Sequence, residues 1–351
     1  MIEEELISKK VLSGVLSEKC GKDIEIIQME KIGSGYHSDG FKATSSQGQM
    51  FFIKKFKSND LGFAYPERKI FSLLISDAMS KRSGKNPSPL GVLIVNNGEA
   101  KIIPDIKEDT SIYHVQEFES AGKSYFGELV RKKDKKEMDE NDRNELRKVV
   151  EYISHIHSIK YSAQNQERNK EVYRDGIRSV INSPELAIMM LHEFDENSPV
   201  LNLGEQKEYL GLMYEIMHKW KNRHDRLCAL HGDFWGANVF FRQDGSLWVI
   251  DYSRIPWGDS GIDIGWWLSQ YLWLYHETKN SYFKELGEFF IKEYQEKTGD
   301  KEIREATTIV FGLMGLIFTF PKFYPDLDKQ VGKSFIKHII KILKEGTLLW
   351  D

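Results

Sequence analysis

The stretch Leu230-His-Gly-Asp-Phe-Trp-Gly-Ala-Asn-Val239 and the residues after it decide how this chain folds. Two short strand-like runs, residues 238–241 and 247–250, flank the pair Asp244-Gly245. An Asp-Gly pair between apolar runs is a strong short-range signal for a β-hairpin, because both residues tolerate positive φ. The pattern therefore predicts a hairpin inside an otherwise helical part of the chain.

Three oxygen-bearing side chains lie at the open end of this predicted hairpin. Asn238 opens the first run, Asp233 stands five residues before it, and Asp251 follows the second run. Because a hairpin returns the end of its second strand beside the start of its first, we expect these three groups to converge. Carboxylate and amide oxygens suit Mg²⁺, which prefers a few protein oxygens together with substrate phosphates and water. Two of the three oxygen groups would suffice for the metal, and the remaining one can instead accept a proton.

The spacing His231-x-Asp233-x-x-x-x-Asn238, followed by a hairpin and Asp251, resembles the catalytic and metal-binding loops of the protein-kinase-like fold. The short form His-Gly-Asp, with Ile-Asp-Tyr in the second loop, is similar to the aminoglycoside phosphotransferase and choline kinase branch. The resemblance implies that Asp233 is the catalytic residue and that Asn238 and Asp251 hold Mg²⁺. It also implies that His231 and Asp263 support the loop.

The chain changes character near residue 118, which predicts a bilobal α+β fold. Short β-type runs dominate the first part, and helical periodicity dominates the second. The predicted strands are Ile24–Ile27, Met50–Phe56, Val92–Val95 and Ser111–Phe118, and a helix begins at Tyr65-Pro66. The predicted later helices are Asn144–Ile159, Gln206–Trp220, Tyr282–Tyr294, Glu302–Phe318 and Lys333–Leu343. We expect a small β-rich nucleotide-binding lobe, residues 1–118, and a larger helical lobe, residues 119–351, with the catalytic loop, metal site and acceptor pocket.

A glycine-rich turn is the first nucleotide-binding element that the resemblance predicts. Gly33, Ser34 and Gly35 fit it, because glycine lets backbone N–H groups approach a phosphate closely. The third glycine of the pattern is absent, since Ser38 stands in its place. Taken alone, the segment indicates an ordinary hairpin turn, but its position before a lysine-bearing strand favours a phosphate loop.

The strand Met50–Phe56 carries two lysines, which alternation places on opposite faces. The resemblance implies that Lys54 holds the α- and β-phosphates of the nucleotide. Lys55 is the alternative if the strand register differs, and is otherwise a solvated edge lysine. Glu67 shares the inward stripe of its helix and is the expected anionic partner of the lysine, because an inward charge must be paired. A first-turn acid favoured by the helix dipole is the compatible alternative for Glu67.

Glu117 and Phe118 end the last predicted strand of the first lobe. The resemblance places them at the hinge that passes the adenine, where backbone groups read the base. The identity of the side chains at this hinge therefore says little about nucleotide binding.

The composition excludes several classes of protein. Lys and Arg total 49 against 53 Asp and Glu, so the net charge of -4 leaves no positive field for nucleic acid or anionic lipid. Cys20 and Cys228 are the only cysteines, which excludes a disulfide framework. The longest uncharged run, Ala306–Phe320, is too short to span a bilayer. We expect a cytoplasmic protein with no nucleic-acid or membrane partner, and its oligomeric state stays open.

Aromatic and histidine residues on the predicted helices have two interpretations each. The rings of residues 266–275 either stack on an acceptor or pack in the core. His155 and His157 are two apart on a helix and face different ways, which makes them poor co-ligands and favours structural or surface roles.

The resemblance implies ATP-dependent phosphoryl transfer to a hydroxyl of a small molecule, such as an aminoglycoside, an amino alcohol, a sugar or a related metabolite. GTP is not excluded as the donor. One alternative is a nucleotide-binding regulator without transferase activity, and another is a protein kinase-like enzyme. The last is disfavoured because Gly232 stands where protein kinases usually carry arginine. In addition, only eleven residues separate Asp251 from Asp263, too few for a peptide-docking loop.

Overall fold

The computed structural model describes residues 7–35, 38–57, 89–96, 99–100, 111–118, 122–161, 166–181, 186, 194–252 and 254–350. The chain divides into two compact units, Met1–Ser120 and Ala121–Asp351. Strands dominate the described part of the first unit and helices dominate the second. The predicted α+β class is therefore confirmed.

The first unit is built on an antiparallel sheet. Its described strands are β1 (Ile26–Ser34), β2 (Ser38–Ser45), β3 (Met50–Phe56), β4 (Pro89–Asn96), β5 (Glu99–Ala100) and β6 (Ser111–Glu117). They lie in the order β1-β2-β3-β6-β4-β5. The prediction for Met50–Phe56 is confirmed to the residue, whereas the strand predicted from Ile24 begins at Ile26 and continues to Ser34.

Helix α1 (Lys9–Cys20) supplies the apolar cover for this sheet. The Ser8 hydroxyl accepts a hydrogen bond from the Val11 N–H at its start, and Gly21 ends it in the left-handed region with φ 64°. Leu12 and Leu16 of α1 belong to one buried cluster with strand residues including Phe51 and Ile53. This helix was not predicted from the sequence.

The second unit is mainly helical. Its described helices are α2 (Tyr125–Arg131), α3 (Glu140–Ser158), α4 (Gln166–Ile181), α5 (Leu203–Trp220), α6 (Ser260–Thr278), α7 (Ser281–Thr298), α8 (Ile303–Ala306), α9 (Thr308–Phe318) and α10 (Lys329–Glu345). The segment Glu302–Phe318 was expected as one helix, and that prediction is wrong, because the helix breaks at Thr307. The Thr307 hydroxyl donates to the Arg304 carbonyl at 2.7 Å, a local bond that competes with a continuous helix. The helix predicted at Tyr65-Pro66 lies outside the described residues.

Helix α6 runs through the centre of the second unit. Most of its residues are buried, and Trp267 stacks on Phe234 with ring centroids 5.1 Å apart and on Phe290 at 5.4 Å. Trp273 stacks in the same way on Phe318. The aromatic residues 266–274 therefore pack in the core. In the described parts of the chain, no helix is long and apolar enough to cross a membrane.

Two short strand pairs interrupt the helices. The strands are β7 (Leu227–Ala229), β8 (Val239–Phe241), β9 (Leu247–Val249) and β10 (Trp257–Asp259), with β7 antiparallel to β10 and β8 antiparallel to β9. The β8–β9 pair confirms the predicted hairpin. Its turn is one residue longer than a two-residue turn, since the Arg242 N–H bonds the Ser246 carbonyl and Gly245 alone has positive φ, 75°.

Candidate active site

The β8–β9 hairpin brings Asn238 and Asp251 to its open end. Val239 pairs with Val249, and the Ile250 N–H donates to the Asn238 carbonyl at 3.0 Å. Asp251 follows directly and has φ 69°, a left-handed conformation that costs a residue with a Cβ about 1–2 kcal/mol. Strain of this kind persists only where the surrounding structure enforces it, and it is common at functional sites.

The Asp233 carboxylate is held from two sides. The Asn238 side-chain amide donates to the Asp233 carbonyl at 2.9 Å and to its Oδ2 at 3.2 Å. The Arg254 Nε lies 3.2 Å from Oδ1, and its guanidinium lies 5.3 Å from the centre of the Trp266 ring. Asp233 and Asn238 thus come together as the sequence predicted, but Arg254 was missed, because a single arginine in a loop carries no recognisable pattern.

His231 braces the loop as a buried, neutral imidazole. Its Nδ1 accepts the Asp233 N–H at 3.2 Å, so its Nε2 carries the hydrogen and donates to the Ile250 carbonyl at 3.0 Å. Burial lowers the pKa of His231 below its usual value near 6.5, which favours this neutral form. The ring therefore ties the loop that carries Asp233 to the end of β9.

Asp263, in the first turn of α6, lies beneath the same loop. Its carboxylate accepts the His231 N–H at 2.7 Å and the Gly232 N–H at 2.8 Å. Four residues earlier, Asp259 caps the start of α6 by accepting the Gly261 N–H at 2.8 Å. Asp259 therefore caps the helix, whereas Asp263 holds the loop.

A second buried histidine supports Asp263 from behind. His157 Nε2 lies 3.0 Å from the Asp263 Oδ2, and its Nδ1 lies 2.7 Å from the Tyr294 hydroxyl. Burial raises the pKa of Tyr294 well above its usual value, so the hydroxyl stays protonated. His155 is exposed. The structural and surface roles predicted for the two histidines are confirmed, although the contact of His157 with Asp263 was not foreseen.

Gly232 is required by the backbone of this loop. Its φ is 84°, and a Cβ placed on it would lie 2.6 Å from the Ile255 nitrogen and 2.7 Å from the Ile255 oxygen. Both are backbone atoms, which cannot turn aside as a side chain would. The arginine that protein kinases usually carry here has no room in this loop.

The side chains at the hairpin end fit a hard cation. Both hydrogen bonds of the Asn238 amide nitrogen go to Asp233, which leaves Oδ1 as the ligand atom of that side chain. Asp251 follows Ile250, whose N–H bonds the Asn238 carbonyl, and its carboxylate would add oxygen atoms of the kind that suit Mg²⁺ completed by phosphates and water. Within the described ranges, no group of three or more His, Cys, Asp or Glu side chains could hold a metal by itself.

In the first unit, the predicted phosphate turn joins β1 to β2. Gly33 and Ser34 end β1, and the Gly35 N–H donates to the Ser38 carbonyl at 2.8 Å. Ser38 replaces the missing third glycine as the first residue of β2.

The two lysines of β3 lie in different surroundings. Lys54 is partly buried, with its ammonium 5.3 Å from the centre of the Phe56 ring. Lys55 is only 6% exposed and follows the buried positions Phe51 and Ile53 of the same face. The interpretation of Lys55 as a solvated edge lysine is wrong, because β3 lies between β2 and β6 and this face is covered. Glu67, the expected partner, lies outside the described residues.

The predicted hinge residues lie at the end of β6 and directly after it. Glu117 pairs with Phe51 at the end of β6, and the next N–H, that of Phe118, is 3.4 Å from the Met50 carbonyl. The Lys42 ammonium lies 5.7 Å from the centre of the half-buried Phe118 ring.

The part of the chain that carries this loop and the β8–β9 hairpin matches a known family. A family model described as the phosphotransferase enzyme family matches residues 114–306, more than half of the chain. The chain belongs to this family. The matched residues include the whole loop, the hairpin and Asp263, and they stop at the end of α8. A search of curated proteins with the sequence of this phosphotransferase-family chain found no match.

Solved structures are similar in fold over most of this phosphotransferase-family chain. A protein assigned as a fructosamine-3-kinase from Haemophilus somnus 129PT has a TM-score of 0.56 at 15% identity, with 94% of this chain and 97% of that chain covered. A thermostable mutant of aminoglycoside phosphotransferase APH(4)-Ia has a TM-score of 0.54 at 15% identity, covering 94% and 98%. The amicoumacin kinase hAmiN, in complex with AMP-PNP, Ca²⁺ and Ami, has a TM-score of 0.53 at 14% identity, covering 91% and 88%. The predicted protein-kinase-like fold is confirmed.

Proposed function

We propose that this phosphotransferase-family protein transfers the γ-phosphate of ATP to a hydroxyl group of a small molecule. The observation that carries the proposal is the Asp233 carboxylate, which Asn238 and Arg254 hold at fixed positions beside the end of a hairpin. Phosphoryl transfer needs little covalent chemistry from the protein, and depends mainly on positioning and on neutralising charge. A fixed carboxylate next to a hard-cation donor set meets both needs.

The proposed roles in the second unit follow from these contacts. Asp233 would accept a hydrogen bond from the acceptor hydroxyl and take its proton as transfer proceeds. Arg254 and Asn238 would keep the carboxylate oriented. Asn238 Oδ1 and Asp251 would hold Mg²⁺, which when bound neutralises charge on the phosphates.

The proposed roles in the first unit concern the nucleotide. The backbone around Gly33, Ser34 and Gly35 would approach the phosphates. Lys54 would pair with the α- and β-phosphates, with Glu67 as its anionic partner. Backbone groups of Glu117 and Phe118 would read the base. Nucleotides are present in related structures: the hAmiN complex contains AMP-PNP, and a ternary complex of the APH(4)-Ia mutant contains ADP and hygromycin B.

A small acceptor is better supported than a peptide. The chain between Asp251 and Asp263 is short, and much of it is fixed by packing: β10 pairs with β7, and the Leu230 N–H donates to the Pro256 carbonyl at 3.1 Å. A segment fixed in this way has no length to spare for docking a peptide chain. These contacts support a small hydroxyl compound as the acceptor, and two of the similar structures are named as an aminoglycoside phosphotransferase and an amicoumacin kinase.

An assay of ADP production tests this function. The purified protein is incubated with ATP and Mg²⁺ and a panel of aminoglycosides, amino alcohols and sugars, and acceptor-stimulated ADP release is the expected result. Asp233→Asn should abolish turnover but leave nucleotide binding, measured by calorimetry, within about twofold, since the carboxylate acts on the acceptor. Asp244→Asn, at the exposed tip of the same hairpin, is the matched control and should keep full activity.

Two outcomes would contradict the proposal. Normal turnover by Asp233→Asn would remove that residue as the proton acceptor. Tight nucleotide binding without turnover on any acceptor would instead favour the regulator without transferase activity.

A further inference from the structure

The turn proposed to cover the phosphates is tied down by a lysine outside the recognised pattern. Lys57 lies just beyond β3, and its ammonium donates to the Ser34 hydroxyl oxygen at 2.9 Å and to the Gly35 carbonyl at 2.8 Å. Ser34 is the last residue of β1, Gly35 follows it, and both are exposed. The lysine that follows β3 therefore holds the end of β1 and the start of the turn directly.

One carboxylate fixes both the lysine and the turn. Asp39 Oδ1 lies 3.0 Å from the Lys57 ammonium and accepts the Ser34 hydroxyl at 2.6 Å. Although partial burial opposes its ionisation, the hydrogen bonds from Ser34, Lys31 and Lys57 prevail and lower the pKa of Asp39 to about 2. The carboxylate is thus charged at every pH at which a kinase would be assayed. Lys31 also pairs with Asp39, at 2.9 Å. Among the described residues, it forms no hydrogen bond or ion pair with Ser34 or Gly35.

From these contacts we propose that Asp39 and Lys57 form a clamp that positions the Ser34–Gly35 turn for the phosphates of the nucleotide. The inference rests on the proposed function, because it assigns the turn to phosphate binding. Glycine-containing turns have many accessible backbone conformations, and ordering one at the moment of binding reduces affinity. A clamp that holds the turn in advance removes that cost. Asp39 and Lys57 are positioning residues in this proposal.

The clamp and a purely electrostatic effect predict opposite changes in the affinity for a polyphosphate when Asp39 is replaced. If the cluster acted only through its charge, Asp39→Asn would make the turn more positive and tighten the binding of a polyphosphate. If the cluster acts by positioning, Asp39→Asn loosens the hold on both Lys57 and Ser34, because a neutral amide oxygen accepts hydrogen bonds more weakly than a carboxylate, and ADP binding weakens. The two explanations therefore predict opposite effects of one substitution.

The experiment measures the affinity of the full-length protein for ADP and for adenosine by calorimetry at low salt. Asp39→Asn and Lys57→Met should each weaken ADP binding by about fivefold, the range for partly exposed charged contacts, and leave adenosine binding unchanged. Lys31→Met is the matched control, since it removes a partner of the same carboxylate without touching the turn, and it should stay within about twofold of the unaltered protein.

Each outcome has a definite meaning. Tighter ADP binding by Asp39→Asn, or unchanged binding by both clamp variants while the unaltered protein binds ADP, would overturn the clamp and leave the proposed function standing. Failure of the unaltered protein to bind ADP would overturn the proposed function, and the clamp with it. An equal loss of adenosine and ADP binding would show general damage to the lobe, which contradicts a role limited to the phosphate turn. Thermal unfolding of each variant checks that the fold is kept.

Discussion

Replacing Gly232 by alanine should damage both stability and turnover, because the loop needs a residue without a Cβ at this position. The backbone φ of 84° alone costs a residue with a side chain about 1–2 kcal/mol. The new Cβ would also meet the Ile255 nitrogen at 2.6 Å and the Ile255 oxygen at 2.7 Å. Forcing extra atoms into packed surroundings typically adds about 1–3 kcal/mol. The free energy of unfolding should therefore fall by about 2–5 kcal/mol.

Gly299 separates the two contributions to this loss. It ends helix α7 with a similar φ of 74°, but nothing lies within 4 Å of a Cβ placed there. Gly299→Ala should therefore show the conformational cost alone, about 1–2 kcal/mol. Urea denaturation of the two variants measures the difference, which is the cost of the contact with Ile255.

Turnover should respond to the same contact. Relief of the clash must move either the Ile255 backbone or the loop that carries Asp233, the next residue after Gly232. A displacement near 1 Å at a catalytic group lowers the rate by about a hundredfold. Gly232→Ala should thus lose most of its kcat in the ADP assay, whereas Gly299→Ala should keep it. Equal stabilities for the two variants together with an unchanged kcat for Gly232→Ala would refute this reasoning.

Three further substitutions test the surroundings of the site. Asp259→Ala removes a fully buried carboxylate that accepts from the Arg226 guanidinium at 2.8 Å, from the Tyr173 hydroxyl at 2.7 Å and from the Gly261 N–H at 2.8 Å. The free energy of unfolding should fall by about 3–5 kcal/mol in urea denaturation, and a loss below about 1 kcal/mol would contradict the role of this carboxylate. His231→Gln tests the pH dependence of stability. Burial holds the pKa of His231 in the folded protein below 6.5, so below that pH the unfolded chain binds more protons than the folded chain. The free energy of unfolding therefore falls as the pH drops below 6.5. This one group contributes a slope of up to about 1.4 kcal/mol per pH unit, which should disappear in the variant, and an unchanged slope would refute the assignment. Arg254→Met removes the ion pair that holds the Asp233 carboxylate, and it should lower kcat by about tenfold or more with little change in nucleotide affinity. A selective rise in KM for ATP would instead argue that Arg254 contacts the nucleotide.

Local patterns made the centre of the fold predictable. The pair Asp244-Gly245 and the runs on either side of it are enough to indicate the β8–β9 hairpin, because turn chemistry and alternation act within a few residues. The loop spacing then places Asp233 next to Asn238, and the structure shows them in hydrogen-bond contact. The exact turn was less accessible, since a two-residue and a three-residue loop share the same Asp-Gly signal.

Contacts between distant segments were not predictable in the same way. Arg254 meets Asp233, and His157 meets Asp263, only because separate helices and loops pack together. The break at Thr307 depends on one side-chain hydrogen bond inside a strongly apolar run that otherwise favours a single helix. Helix α1 was overlooked for another reason: only Leu12 and Leu16 are buried along it, so its apolar stripe is narrow, although Ser8 and Gly21 mark its ends.

The bonds from Asp263 to the loop have a consequence for hydrogen exchange. Amide protons in a connecting segment usually exchange quickly with solvent, but those of His231 and Gly232 both end on a fully buried carboxylate. They should exchange as slowly as amides in the middle of a helix, even before any ligand is added. A loop protected in this way is already ordered before a ligand binds, so binding does not have to offset the entropy cost of ordering it.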